Sequence, residues 1–89
     1  MLTSSAPLSV STLVREVKAL LEGSFPLVLV EGEISNLARP GSGHLYFTLK
    51  DAGAQLRCAM FRNRASLLRF RPQDGAHVLV RARITVYEP

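Results

Sequence analysis

Apolar residues recur with one period near the start of the chain and with another period further on. In the first quarter they fall three or four residues apart, which predicts an amphipathic helix. Ser9, Ser11 and Thr12 are candidate N-caps for this helix. Gly23 is a candidate C′ residue, and Pro26 prevents the helix from resuming. We expect the apolar stripe to pack on the sheet or on a neighbouring domain.

From residue 27 onward, apolar and polar side chains mostly alternate, as they do in strands with one buried face. The elements predicted from this part of the chain are strands at Leu27–Ser35, His44–Lys50, Gln55–Phe61 and His77–Tyr87, with a short helix at Arg62–Phe70 before the last strand. Asp51-Ala52-Gly53 predicts a tight hairpin. Gly32 in mid-strand predicts a bulge or a sharp bend, and residues 36–43 predict a loop.

A leading helix, three strands, a short helix and a further strand follow the element order of a mainly β OB-fold, a five-stranded Greek-key barrel. Four strands are accounted for, and a turn toward the fifth is expected at Glu88-Pro89. The fifth strand is therefore expected to be missing, which predicts a fragment of a longer protein. We expect an N-terminal tail and helix over residues 1–25, frayed before Ser9, and the truncated barrel over residues 26–89.

The net charge of +4 is unevenly distributed. Residues 1–33 have two basic and four acidic side chains, a net of −2, whereas residues 34–89 have nine basic and three acidic ones, a net of +6. Five arginines and no acid lie between Asp51 and Asp74. Such a field favours a polyanionic partner, because guanidinium groups suit phosphate and stack on bases. Charge that serves only solubility is the alternative interpretation.

The residues that could carry catalysis or bind a metal are few. Two histidines and one cysteine cannot form a standard zinc site. Cys58 alternates with apolar residues and has no partner for a disulfide, which favours a core thiol and a cytoplasmic protein. Glu31 and Glu33 share a strand face, where cross-strand partners such as Arg81 and Arg83 explain them better than catalysis does. We therefore predict no catalytic residue, metal ligand or cofactor in this chain, and no signal peptide or membrane span.

Aromatic and basic side chains share the outward face of the second and third predicted strands. Single-strand binders combine cations along the backbone with aromatic faces on which bases stack. Tyr46 is the best stacking candidate. Phe61 is either a stacking residue or is buried under the short helix or a neighbouring domain. The candidate nucleic-acid-binding residues, on this face and on its flanks, are Arg39, His44, Tyr46, Lys50, Arg57, Phe61, Arg62, Arg64, Arg81 and Arg83. A solvated helix face is the alternative for the arginines that follow the third strand.

Five short segments stand out once these elements are placed. They are Ser9-Val10-Ser11, Leu21-Glu22, and residues 30–36 (VEGEISN), 42–51 (SGHLYFTLKD) and 57–62 (RCAMFR). Taken in order, they resemble the N-terminal domain of the exodeoxyribonuclease VII large subunit over nearly the whole chain. The resemblance implies an OB-fold that binds DNA, within a bacterial nuclease that degrades single-stranded DNA to oligonucleotides. It also implies that catalysis and small-subunit binding lie in regions outside this chain.

The residues and the resemblance together predict a module that binds single-stranded DNA and positions it for hydrolysis elsewhere in the protein. Two alternatives stay open. The barrel could serve protein interaction and assembly, including a homodimer through unpaired strand edges. It could also be an RNA-binding domain of the anticodon-reading type, which competition between DNA and RNA oligomers would distinguish, since only RNA has the 2′-OH.

Overall fold

The computed structural model describes residues 6–87. In chain order it contains α1 (Val10–Ser24), β1 (Val28–Ala38), β2 (Leu45–Lys50), β3 (Gln55–Met60), α2 (Arg62–Ala65) and β4 (His77–Ala82). The predicted succession of elements is therefore confirmed. The predictions for residues 1–5 and for Glu88-Pro89 lie outside the described residues, and the domain boundary after residue 25 stays a prediction.

Helix α1 begins as predicted and ends later than predicted. Its N-cap is Ser9, whose hydroxyl oxygen accepts a hydrogen bond from the Thr12 N–H at 3.1 Å. The helix continues through Gly23, and Phe25 closes it by donating its N–H to the Leu21 carbonyl at 2.8 Å. The prediction for Gly23 is wrong because Gly23 lacks the positive φ that a left-handed C′ residue requires.

The apolar stripe of α1 is largely exposed within the described residues, and its packing on a neighbouring domain stays a prediction. The helix has no buried residue, and Val10 and Leu20 are 81% and 71% exposed. Leu13 and Val17 are also exposed. The stripe therefore keeps its helical period with only partial burial, less than such a stripe usually has.

The strands form one sheet in the order β3-β2-β1-β4, with β2 antiparallel to both β1 and β3. The loop from β2 to β3 is the predicted hairpin. Its Asp51 carboxylate accepts the N–H groups of Gly53 and Ala54 at 2.8 and 2.9 Å, which is the local hydrogen bonding that aspartate supplies in turns.

The bulge predicted at Gly32 lies elsewhere. The register of β1 against β2 shifts between Ser35 and Ala38, where Asn36 has a φ of 53°. The displaced N–H of Leu37 donates to the Asp74 carboxylate at 2.9 Å. Gly32 is required for a different reason, because a Cβ there would lie 2.9 Å from the Lys50 carbonyl oxygen.

Three further boundaries differ from the prediction. Strand β1 extends to Ala38, β3 ends before Phe61, and β4 ends at Ala82. Burial still alternates from residue 83 to Tyr87, but this segment is not assigned to a strand. In residues 83–87 the alternation therefore identified which side chains face inward. A strand also needs a hydrogen-bonded neighbouring strand, which alternation does not reveal. Helix α2 has only four residues, because the chain leaves it in turns after Ala65.

The hydrophobic core lies around the central strand β2. Ile34, Phe47 and Leu49 are buried together, and half-buried side chains from β1, β3 and β4 pack against them. The predicted inward row of β2 is therefore confirmed. The inward row of β3 is only partly covered, since β3 is at the end of the sheet order and its Leu56 is 45% exposed.

The chain divides into two compact units, Val30–Val80 and the segments on either side of it. The Val30–Val80 unit holds the core, β2, β3 and α2. In the flanking unit, the Thr85 hydroxyl donates to the Glu22 carboxylate at 2.6 Å, and the Ile84 N–H donates to the Phe25 carbonyl at 3.4 Å.

Candidate nucleic-acid interface

The outward side chains of β2 and β3, together with His44 and Phe61, form a surface that we call the platform. Tyr46 lies at its centre, directly opposite Ala38 on β1 and Ala59 on β3. Side chains opposite each other in antiparallel strands are close neighbours, so their size decides how much of the middle residue is covered. Both of these neighbours are small, and the Tyr46 side chain is half-buried.

His44 connects the two aromatic rings of the platform. Its ring meets Tyr46 edge-on at a centroid distance of 6.3 Å and Phe61 edge-on at 5.5 Å. Its Nδ1 accepts a hydrogen bond from the Arg62 N–H at 2.9 Å, which fixes the ring and the start of α2 together.

Phe61 is the N-cap residue of α2 and is 59% exposed. The alternative that Phe61 is buried under the short helix is therefore wrong, because more than half of the residue is open to solvent.

Thr48 and Arg57 form a cross-strand pair on the platform. Arg57 Nη1 donates to Thr48 Oγ1 at 2.8 Å. Strand alternation places Thr48 on the outward row of β2 with Tyr46, yet Thr48 is only 3% exposed. The reason is that β2 lies between β1 and β3, and the neighbours of Thr48 are Arg57 and Ser35. The bond satisfies a buried hydroxyl and holds an exposed guanidinium against the sheet.

Lys50 marks an end of the platform where the charge is partly balanced. It lies directly opposite Glu33 on β1. Glu31, which was expected near Arg81, lies instead 3.3 Å from His77 Nε2. The two glutamates thus have partners on β2 and β4 that the sequence reasoning did not name, which agrees with its preference for a cross-strand role.

The remaining predicted residues fall into three places. Arg39 and Arg62 line an open cavity of about 510 Å³, which we call the arginine cavity. Arg64 is exposed on α2. Arg81 is in β4 and Arg83 follows it, and both belong to the flanking unit.

Sequence reasoning left Arg69, Phe70 and Arg71 out of the site, although they line the arginine cavity. The predicted helix over Arg62–Phe70 would have spread these side chains around its axis. No local pattern in the sequence brings them together with Arg39, since the lining joins segments that are far apart in the chain.

Cys58 belongs to the core side of the sheet and not to the platform. It lies opposite Phe47 and packs against the core cluster. Burial raises the pKa of the Cys58 thiol, while a backbone hydrogen bond at Leu49 and the charge of Arg57 act in the opposite direction. The Cys58 thiol therefore has less thiolate character at neutral pH than a free cysteine.

The part of the chain that the structure describes contains no group of three or more His, Cys, Asp or Glu side chains placed to hold a metal ion. Between residues 6 and 87, no helix has the length and apolar composition that a membrane span requires.

Comparison of the sequence with known proteins identifies the family of this chain. The family model of an OB-fold nucleic acid binding domain matches residues 8–89. Three relatives are named exodeoxyribonuclease 7 large subunit. The relative from Thioalkalivibrio sulfidiphilus is 65% identical over 81 residues, that from Geobacter metallireducens is 63% identical over 81, and that from Alcanivorax borkumensis is 59% identical over 83.

These alignments cover between 91% and 93% of this chain but only 18% of each relative. The chain therefore spans less than a fifth of the length of the relatives it matches. The resemblance that five segments of the sequence carried is confirmed, and so is the fold class. The chain belongs to the family of OB-fold nucleic acid binding domains.

Proposed function

We propose that this chain binds single-stranded DNA through the platform, with bases stacked on Tyr46 and Phe61. The observation that carries the proposal is Tyr46 between two alanines, with His44 bracing both aromatic rings. Stacking of a base on an aromatic ring contributes about 1–3 kcal/mol and tolerates any base. The DNA backbone meets the cations of the Val30–Val80 unit, namely Arg39, Lys50, Arg57, Arg62 and Arg64. Arg81 and Arg83, in the flanking unit, stay candidates from the sequence.

The names of its relatives support a role for the module within a longer protein. In a large subunit of exodeoxyribonuclease VII, the module holds single-stranded DNA for hydrolysis by a catalytic region outside this chain. The small subunit binds through regions outside this chain as well. The platform supplies no acid–base pair or metal ligands of its own, so its contribution is to bind and orient the strand in the cytoplasm.

A titration with fluorescent oligo-dT of about 16 nucleotides tests the proposal. We expect binding at about 50 mM salt that weakens steeply toward about 200 mM, because phosphate contacts release counterions. Absence of binding at both concentrations would refute the DNA role, and binding that does not respond to salt would refute the phosphate contacts. An RNA oligomer that outcompetes the DNA oligomer would favour the RNA-binding alternative, since only RNA has the 2′-OH.

Assembly is the second candidate function, and the sheet order favours it. Strands β3 and β4 lie at the two ends of the order, and each exposes a large apolar side chain, Leu56 at 45% and Leu79 at 66%. Edge strands of this kind pair with other chains. Sedimentation of the same samples without DNA decides the point: a homodimer supports assembly through these edges, and a monomer at high concentration contradicts it.

A further inference from the structure

Four arginines from two separate parts of the chain converge on the arginine cavity. Arg39 comes from the loop between β1 and β2, whereas Arg62, Arg69 and Arg71 come from α2 and the segment after it. The cavity has a volume of about 510 Å³ and is open to solvent. None of the described residues that line it is acidic. Positive charge therefore accumulates there without a carboxylate in the wall.

The walls of the cavity are held in place by hydrogen bonds and close packing. Arg39 donates from Nη2 to the carbonyl oxygen of Pro72, which fastens the β1–β2 loop to the opposite wall. The N–H of Arg62 is bound to His44, and its side chain packs so closely on Gly43 that a Cβ there would lie 2.9 Å from Arg62 Cγ. Groups fixed before binding lose less conformational entropy when a ligand arrives.

An aromatic ring lies among these charges. Phe70 stands between Arg69 and Arg71 in the chain, lines the cavity and is 57% exposed. Guanidinium groups hold phosphate with paired hydrogen bonds, and an exposed aromatic ring stacks on a base. A nucleotide presents both a phosphate and a base within one unit. It therefore matches this combination of side chains better than a bare anion does.

We propose that the arginine cavity binds one nucleotide of single-stranded DNA, with its phosphate on the arginines and its base on Phe70. The inference rests on the proposed single-strand binding and adds a second subsite to it. Arg62 joins the two subsites, because it lines the cavity and its N–H is bound to His44 of the platform. The phosphate is either internal to the strand or at its end, and both have the same contacts.

The test uses two changes in the cavity, Phe70→Ala and the double change Arg69→Ala with Arg71→Ala. Each has a matched control elsewhere. Leu67→Ala removes a side chain that is 70% exposed, and Arg15→Ala with Lys18→Ala removes two cations from α1. Anisotropy titrations use oligo-dT of about 16 nucleotides with a 5′ phosphate, a 3′ phosphate or neither. Circular dichroism verifies that each variant is folded.

We expect Phe70→Ala to weaken binding about tenfold without altering the salt dependence. The double arginine variant should flatten the slope of log affinity against log salt by about 0.7 for each phosphate that the arginines no longer neutralise. A larger effect on one phosphorylated oligomer identifies an end of the strand as the ligand, and equal effects on all three identify an internal phosphate. Phe70→Leu keeps the apolar packing, so its failure to restore affinity supports stacking.

The outcomes separate this inference from the function on which it rests. If the wild-type chain binds oligo-dT and both cavity variants behave like their controls, the cavity is not a nucleotide subsite and the platform stands. If Phe70→Leu binds as tightly as wild type, stacking on Phe70 is refuted. If the wild-type chain binds none of the oligomers, single-strand binding itself fails.

Discussion

The platform and the arginine cavity lie side by side in the Val30–Val80 unit but are built by different means. The platform is carried by paired strands, and its central ring, Tyr46, lies between alanines of two neighbouring strands. The cavity is formed by a loop and by the chain after a helix of four residues. A sheet fixes the spacing of aromatic faces, whereas loops bring together side chains that are distant in the sequence.

The two regions also differ in charge. Lys50 on the platform lies opposite Glu33, while the described lining of the cavity has four arginines and no acid. Binding to the platform should therefore depend mostly on stacking, and binding to the cavity mostly on phosphate contacts that salt weakens. Variants in the two regions should change affinity and salt dependence separately.

The largest expected effect comes from Tyr46→Ala. Losing one base–aromatic stack costs about 1–3 kcal/mol, which is a loss of roughly 5- to 150-fold in affinity for oligo-dT. Because no charge is removed, the slope of log affinity against log salt should stay that of the wild type. Anisotropy titrations at several salt concentrations measure both quantities.

The chain offers a matched control in its second tyrosine. Tyr87 belongs to the flanking unit, is 86% exposed and is not part of the platform. Tyr87→Ala should bind as the wild type does. Equal affinity of the Tyr46 and Tyr87 variants would remove Tyr46 from the interface and leave the cavity as the stronger of the two regions.

The platform was largely predictable because strand alternation has a period of two. That period alone places Tyr46 on the outward face and Leu45 and Phe47 on the inward face. The two alanines beside Tyr46 could not be predicted, since they depend on the register of three strands. The burial of Thr48 was missed for the same reason: a central strand is covered by neighbours that the sequence does not identify.

The arginine cavity was not predictable from local patterns. It depends on contacts between the loop at Arg39 and the segment at Arg69–Pro72, which are far apart in the sequence. The expected helix over Arg62–Phe70 also concealed it, because only the first four residues are helical. For α1 the local pattern was sufficient to predict the helix, because the apolar residues follow the helical period. The same pattern does not reveal whether another surface covers the apolar stripe.

The next largest effect should come from Gly43→Ala, at the point where the two regions meet. Gly43 has a φ of +90°, and a Cβ would lie 2.9 Å from Arg62 Cγ. The left-handed conformation costs a residue with a Cβ about 1–2 kcal/mol, so the free energy of unfolding should fall by about that amount. Urea denaturation followed by circular dichroism measures it.

Gly41→Ala is the control in the same loop, because a Cβ at Gly41 would meet no atom within 4 Å. It should leave stability unchanged or raise it slightly. If Gly43→Ala were as stable as Gly41→Ala, the close packing of Gly43 on Arg62 would not hold the wall of the cavity. The folded Gly43→Ala protein should also bind DNA more weakly, since Arg62 must move.

The smallest effect concerns the other side of the platform strands. Cys58 faces the core, and burial raises its thiol pKa, so less thiolate is present at a given pH than in a free cysteine. Alkylation by iodoacetamide near pH 8 should be slower than that of a model thiol and should accelerate as the pH rises. Saturating oligo-dT should slow the reaction only slightly, because a phosphate on Arg57 offsets the charge that lowers the Cys58 pKa while the strand itself lies on the opposite face. Strong protection by DNA would mean that the strand binds the core side of β3, and the assignment of the two faces would be wrong.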